Sequence, residues 1–347
     1  MSVPDGRPPR AVIFGCAGAT LSTEERRFFR EADPFGFILF ARNSSDPEQL
    51  KRLVAELRES VQRRDAPVLI DQEGGRVARL QEPHWRHPPA QGVFAELAEH
   101  SVDNAKRAAY LNARLIGREL AAAGITVDCL PVLDLPQTGG HGIIGDRALG
   151  KNPETIAALG QAICEGLLAE AVLPVIKHLP GHGRARVDSH KALPVVDTSL
   201  ETLRETDFAP FRSLALLPWA MTAHVVYTAI DPDRPATVSP EVISTVIRGE
   251  IGFKGLLLSD DLGMEALAGE LDRRASASLA AGCDLALHCS GVIKEMKLVA
   301  EGTPPMTQDA EGRAQYAEAM RLGEGASEKP EFSAMMAEYK TLTGGDC

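Results

Sequence analysis

Val172-Leu173-Pro174-Val175-Ile176 is a short apolar run that ends abruptly in Lys177-His178, after which Pro180, Gly181 and Gly183 break regular structure. A run of this length, rich in β-branched residues, reads as a strand buried on both faces. Seven others share the character: Ala11–Gly15, Phe35–Phe40, Pro67–Ile70, Ile125–Leu133, Pro218–Ala223, Gly255–Leu258 and Cys283–Leu287. Most are followed by a segment of helical spacing. Asp46-Pro47 with Gln49 opens one such helix, whose Leu50, Leu53, Val54 and Leu57 share a face, and Ser239-Pro240 opens another with Val242, Ile243, Val246 and Ile247. Eight strands alternating with crossover helices predict an α/β fold, a single-domain TIM-type (β/α)8 barrel. On this reading residues 1–290 form the catalytic barrel, and residues 291–347 are peripheral C-terminal helices and tail, with a helix near Gln315–Leu322.

Such a barrel carries its active site at the C-terminal ends of its strands. The residues just past the runs are Arg42-Asn43, Asp71, Asp134, Lys177-His178, His224, Asp260-Asp261 and His288, so seven of the eight strands end in groups suited to catalysis or polar binding. A doubly wound sheet would gather them at one switch point instead.

The composition excludes several classes. With 44% hydrophobic and 24% charged residues in a chain of 347, disorder and fibrous structure are ruled out. A net charge of −11 repels nucleic acid and anionic membranes, so neither is expected as a partner. Six cysteines without a C-x-x-C pair fit neither a disulfide framework nor a zinc ribbon. Ala11–Ala19 mimics a short signal peptide but reads as the first buried strand, and no apolar run approaches 18 residues. A cytoplasmic monomer acting on a small molecule is expected.

Three strings carry chemistry. In the loop from Lys177 to His190, Lys177 and His178 are fixed by the strand, whereas Asp188 and His190 ride on a segment able to move over a substrate. A carboxylate two residues from a histidine can hold its tautomer and stabilise the imidazolium, making His190 a candidate proton donor. In Leu258-Ser259-Asp260-Asp261, a rigid strand places Asp260 as a nucleophile or charge stabiliser, and Asp261 as a cap of the following helix. In Asp71-Gln72-Glu73-Gly74-Gly75-Arg76-Val77-Ala78-Arg79, Asp71 can accept bonds from adjacent hydroxyls and Arg79 can reach the same ligand, while Gly74-Gly75 lacks the Lys-Ser/Thr of a phosphate loop. Arg147 is a further candidate at the mouth. A metal site built from His178, His182, His190, His224 and His288 with Asp260 is conceivable, but neither H-x-H after the first strand nor H-E-x-x-H occurs, so no metal is expected.

The strings K-H-L-P-G-H-G-R-A-R-V-D-S-H, D-Q-E-G-G-R-V-A-R-L, I-I-G-D-R-A-L-G, M-T-A-H-V-V-Y and L-L-S-D-D-L-G-M together resemble the family 3 glycoside hydrolases, more narrowly the bacterial cytoplasmic β-N-acetylglucosaminidases that recycle peptidoglycan. The similarity runs from about Ala11 to His288. It implies that Asp260 is the nucleophile, that Asp188 and His190 form the acid/base dyad, and that Asp71, Arg79, Arg147, Lys177 and His178 bind a terminal N-acetylglucosamine. The implied activity is a retaining exo-β-N-acetylglucosaminidase on GlcNAc-1,6-anhydro-MurNAc or its peptide-bearing forms, without metal or organic cofactor. Gly263, where many members have Ser, and Ser290, where Asn is expected, depart from the pattern. Many relatives carry a second α/β domain that supplies a glutamate acid. Residues 291–347 are too few for one, so the His190 loop fills that role. Lys177, Arg79, Arg147, Arg184 and Arg186 would make a cationic mouth suited to anionic muropeptides. A phosphorylase or β-glucosidase on the same fold, a metal-dependent barrel hydrolase and a non-catalytic sugar-binding module are the alternatives.

Overall fold

A computed structural model describes residues 7–137, 142, 144–185, 187, 189, 192–324 and 330–345. Eight parallel strands close a barrel in simple chain order: β1 (Arg10–Gly15), β2 (Pro34–Leu39), β3 (Val68–Ile70), β4 (Val127–Asp128), β5 (Leu173–Leu179), β6 (Trp219–Thr222), β7 (Leu256–Asp261) and β8 (Leu285–His288), the last pairing with β1. All eight expected strands are present. Alternation along each strand divides the apolar side chains between two sides. Ala11, Ile13, Leu69, Val127, Val175, Met221, Leu258 and Leu287 fill the barrel, whereas Val12, Phe14, Phe37, Val68, Ile70, Ile176 and Leu257 face the helices.

Local sequence sets the crossovers. The helix Pro47–Ser60 starts where the Asp46 carboxylate accepts the Gln49 amide, and buries Leu50, Leu53, Val54 and Leu57 as the spacing predicts. Ser239 caps the start of Val242–Glu250 through Val242 N, and that segment winds as a π-helix. A small sheet of Val195–Val196, Val226–Tyr227 and Asp231–Pro235 lies outside the barrel order.

The strand boundaries differ from expectation in an informative way. β5 and β7 run on through Lys177-His178 and Asp260-Asp261, so these polar residues belong to the ladder itself. Register shifts accompany them, between Lys177 and Leu179 and between Leu258 and Asp261. Such irregularities re-aim side chains at a barrel rim. The fourth strand is much shorter than Ile125–Leu133: Pro131 has no N–H to offer a ladder, and beyond it only single contacts such as Leu133 N to Lys177 O (2.8 Å) continue the pairing.

The segment after Ser290, expected to be peripheral, is built into the core. Met306, Ala310, Ala314 and Ala317 share the interior cluster with Ala11, Phe35, Trp219 and Leu256, so the helix Gln308–Glu324 plugs the N-terminal end of the barrel. Arg313 binds Asp284 at the foot of β8 (2.6 Å), and Met306 N binds Pro9 O (2.8 Å). The helix Phe332–Thr343 then packs on Val102–Ala122, burying Met335 and Tyr339. The expected helix near Gln315–Leu322 is the C-terminal half of the plug, and only small residues at the plug's buried positions let it enter the barrel mouth. Ala317→Glu should therefore lower unfolding free energy by more than about 2 kcal/mol, because it buries an unpaired charge, whereas Tyr316→Ala on the exposed face should change it by less than about 0.5 kcal/mol. Equal denaturant midpoints for the two variants would show that the helix is not part of the core.

Candidate active site

The C-terminal ends of the strands surround one pocket, lined by Phe40 after β2, Asp71, Glu73 and Arg79 after β3, Arg147 after β4, Lys177 and His178 on β5, Met221 on β6, Asp260 and Asp261 on β7, and Cys289 after β8. Of the residues singled out in the sequence, Asp71, Arg79, Arg147, Lys177, His178 and Asp260 are thus brought together. Asp188 and His190 lie outside the described residues. Their neighbour Ser189 lines the same pocket.

Within the pocket the cations are already paired. The Lys177 ammonium bridges Asp71 Oδ1 at 2.9 Å and Glu73 Oε1 at 2.7 Å. Arg147 makes a two-pronged bond to Glu73, with Nε and Nη2 each 2.7 Å from a carboxylate oxygen, and Arg79 Nη2 donates to Asp71 Oδ2 at 3.2 Å. Burial alone would raise the Asp71 carboxyl, but the Lys177 and Arg79 charges overcome it and hold the group well below the ordinary carboxylate range. The same contest, against Lys177 and Arg147, leaves Glu73 lowered. Burial likewise works against the Lys177 ammonium, and the two carboxylates more than reverse it. All these groups are therefore ionised at neutral pH. Among the described residues the expected cationic mouth is not found: Arg184 is taken by Asp207 at 2.7 Å and the other three cations are matched within the pocket, while Arg186 lies outside the described residues.

Asp134 forms a second hub. It is fully buried, accepts from His178 Nδ1 at 2.7 Å and from the backbone N–H groups of His178 and His182 at 3.2 and 2.6 Å. Burial would raise its pKa, yet His178 and these bonds bring it to about 2. An ionised Asp134 fixes the His178 ring, whose other nitrogen is left for the pocket. Buried His182 is pushed down to about 4, first by burial and then by His178, against the pull of Asp134 and Asp260.

Behind Asp260, His224 Nε2 donates to the Asp261 carbonyl at 3.0 Å. A carbonyl only accepts, and burial lowers the pKa of His224 so that the ring is neutral; Nδ1 therefore carries no proton and accepts from the Thr237 hydroxyl at 2.7 Å. Asp261, expected to cap the next helix, instead accepts from Gly263 N (3.0 Å) and Cys289 N (3.2 Å), tying β7 to the end of β8. A Cβ at Gly263 would stand 3.3 Å from both Asp261 oxygens. The Asp260 carboxylate accepts the Asp261 amide at 2.8 Å. Sequence reasoning passes over Glu73 and offers His182 only as a conceivable metal ligand. Asp134 was visible as a strand-end group, but Glu73 meets Arg147 across 74 residues of chain, and its one local signal is the Gly74-Gly75 turn, where Gly74 has φ +100 and a Cβ would strike Pro89 O. Among the described residues no group of three or more His, Cys, Asp or Glu is arranged to hold a metal ion.

The glycosyl hydrolase family 3 N-terminal domain matches residues 16–309. A β-hexosaminidase of Alkalilimnicola ehrlichii is 41% identical over 283 residues, 80% of each chain. The crystal structure of native NagZ from Neisseria gonorrhoeae is similar with a TM-score of 0.85 and 35% identity over 97% of this chain and 98% of that one, and that of NagZ in complex with N-trifluoroacetyl-D-glucosamine with a TM-score of 0.83 and 34% identity over 97% and 98%. With the barrel closed in simple order, the charged residues gathered at the mouth and the likeness extending over nearly the whole chain, the chain belongs to glycosyl hydrolase family 3 and is a glycoside hydrolase.

Proposed function

We propose that the enzyme is a retaining exo-β-N-acetylglucosaminidase that removes the non-reducing terminal N-acetylglucosamine from GlcNAc-1,6-anhydro-MurNAc and its peptide-bearing forms, as a cytoplasmic monomer in peptidoglycan recycling. The observation that carries this reading is the position of Asp260: last but one on a rigid strand, it shares a pocket with the paired carboxylate and cations of Asp71, Arg79, Arg147 and Lys177 and with His178. The relative seen with N-trifluoroacetyl-D-glucosamine supports the sugar, and the histidine-loop string supports the anhydromuramyl substrate.

In this mechanism an Asp260 oxygen bonds to the anomeric carbon as the glycosidic C–O bond breaks, and His190, its imidazolium stabilised by Asp188, gives its proton to the departing oxygen. The neutral imidazole then takes a proton from water, whose oxygen attacks the anomeric carbon and releases the Asp260 carboxylate. A histidine thus does the work of the second carboxylate common in glycosidases. Asp71, ionised and fixed by two cations, accepts bonds from sugar hydroxyls, while the Lys177 ammonium and the His178 ring, the latter held by Asp134, need not reorganise when substrate arrives.

Four measurements test the reading. Asp260→Asn should retain its fold and lose several orders of magnitude in turnover, and a 2-fluoro glycosyl donor with a good leaving group should label the wild-type peptide containing Ser259-Asp260-Asp261; an adduct on Asp261 or Glu73 overturns the nucleophile. A digest of chitin oligomers should release single N-acetylglucosamine units from the start, and Asp71→Asn should cost about 1–3 kcal/mol, roughly 5- to 150-fold in kcat/KM, without changing the products. Early tetrasaccharide products would reveal an endo-acting groove instead.

A further inference from the structure

The loop after β5 leaves the barrel from a root held on every side. His182 N binds Asp134 at 2.6 Å, Tyr227 donates to Gly181 O at 2.6 Å, and Arg184 binds both Asp207 and Thr206. Gly183 passes so close to the neighbouring backbone that a Cβ would lie 1.8 Å from Leu135 O. From this root the His182 ring, only 3% exposed and set edge-on to His178 with ring centroids 5.7 Å apart, reaches seven residues along the chain to Ser189 Oγ at 3.1 Å. Ser189 is itself buried, at 2% exposure, and stands between Asp188 and His190 in the sequence.

The chemistry of the ring gives this bond a direction. His182 is neutral at physiological pH and so carries one N–H. Its Nδ1 is buried with no partner among the described residues. A buried N–H with no acceptor is costlier than a buried lone pair with no donor, so the proton sits on Nε2 and is donated to the serine oxygen. The bond therefore joins the rigid root to the one residue flanked by both members of the dyad.

We propose that His182 is a positioning residue for proton transfer: its hydrogen bond to Ser189 anchors the loop at the residue that lies between Asp188 and His190 in the sequence. This inference rests on the acid role assigned to His190. General acid catalysis falls off steeply with misplacement of the donor, and matters most when the leaving group is a poor one. Loss of the bond should therefore be felt as a changed dependence on the leaving group, which a merely structural role would not produce.

The test uses kcat/KM, which reports the glycosylation step, for aryl β-N-acetylglucosaminides of graded leaving-group acidity and for the unactivated disaccharide of N-acetylglucosamine. Ser189→Ala and His182→Phe, which keeps a ring against His178 but deletes the nitrogen, should each lose about tenfold or more on the disaccharide and no more than about threefold on the most activated aryl glycoside. The double variant should lose no more than the worse single one, and His182→Gln, whose amide nitrogen can stand in for Nε2, should recover most of the activity. Losses equal across all leaving groups, or additive in the double variant, overturn the proposal. His190→Ala is the control: if it too leaves the leaving-group dependence unchanged, the acid assignment falls and this inference with it, whereas a steepened dependence in His190→Ala but not in Ser189→Ala removes the latch alone.

Discussion

A buried ammonium shared by two carboxylates governs the mouth of this barrel. Lys177 has 2% of its surface exposed, a position at which a lone charge costs several kcal/mol, and it is tolerable there only because Asp71 and Glu73 stand within 3 Å. The three groups must consequently be assembled together, and they come from opposite flanks of β4. The pairing holds β3, β4 and β5 in one arrangement, and Arg79 and Arg147 extend it to the loops on either side. A pocket built in this way offers a ligand charges that are already oriented and desolvated, and among the described residues its cations are each matched by a carboxylate.

Asp134 does for the histidines what Lys177 does for the acids. One ionised carboxylate fixes the His178 ring and the backbone at His182, so the pocket-facing end of β5 and the root of the loop that follows are set by the same group. His224 and Asp261 act similarly behind Asp260, joining β6, β7 and β8 through the hydrogen bonds of one imidazole and one carboxylate. Lys177, Arg147 and His178, which face the pocket, are thus each backed by a buried acid, which is the condition for a preorganised site.

The opposite end of the barrel shows how the fold is completed. Its interior is not closed by the strands alone but by a helix from the C-terminal part of the chain, tied to the foot of β8 through Arg313 and Asp284. The alanines that make this possible are the reason it was missed: Ala310, Ala314 and Ala317 share one face but carry too little apolar surface to stand out from the Glu, Gln and Arg between them. Small side chains fit there because the barrel's N-terminal mouth is already occupied by Phe35 and Trp219.

The eight strands and their order were legible in the chain because a strand covered on both faces needs an unbroken apolar run, and because Asp46 or Ser239 marks a helix start through bonds made within a few residues. The polar residues ending those runs were legible as candidate site residues for the same reason: strand ends in a barrel face one mouth. What only the tertiary structure decided is how those charges are spent. Basic residues can be counted in a sequence, but whether Arg147 meets solvent or Glu73 depends on the closure of a barrel that brings positions 74 residues apart to 2.7 Å, and nothing local specifies it. Strand identity is set by short-range pattern, whereas the electrostatics of the pocket are set by which strand ends become neighbours in space.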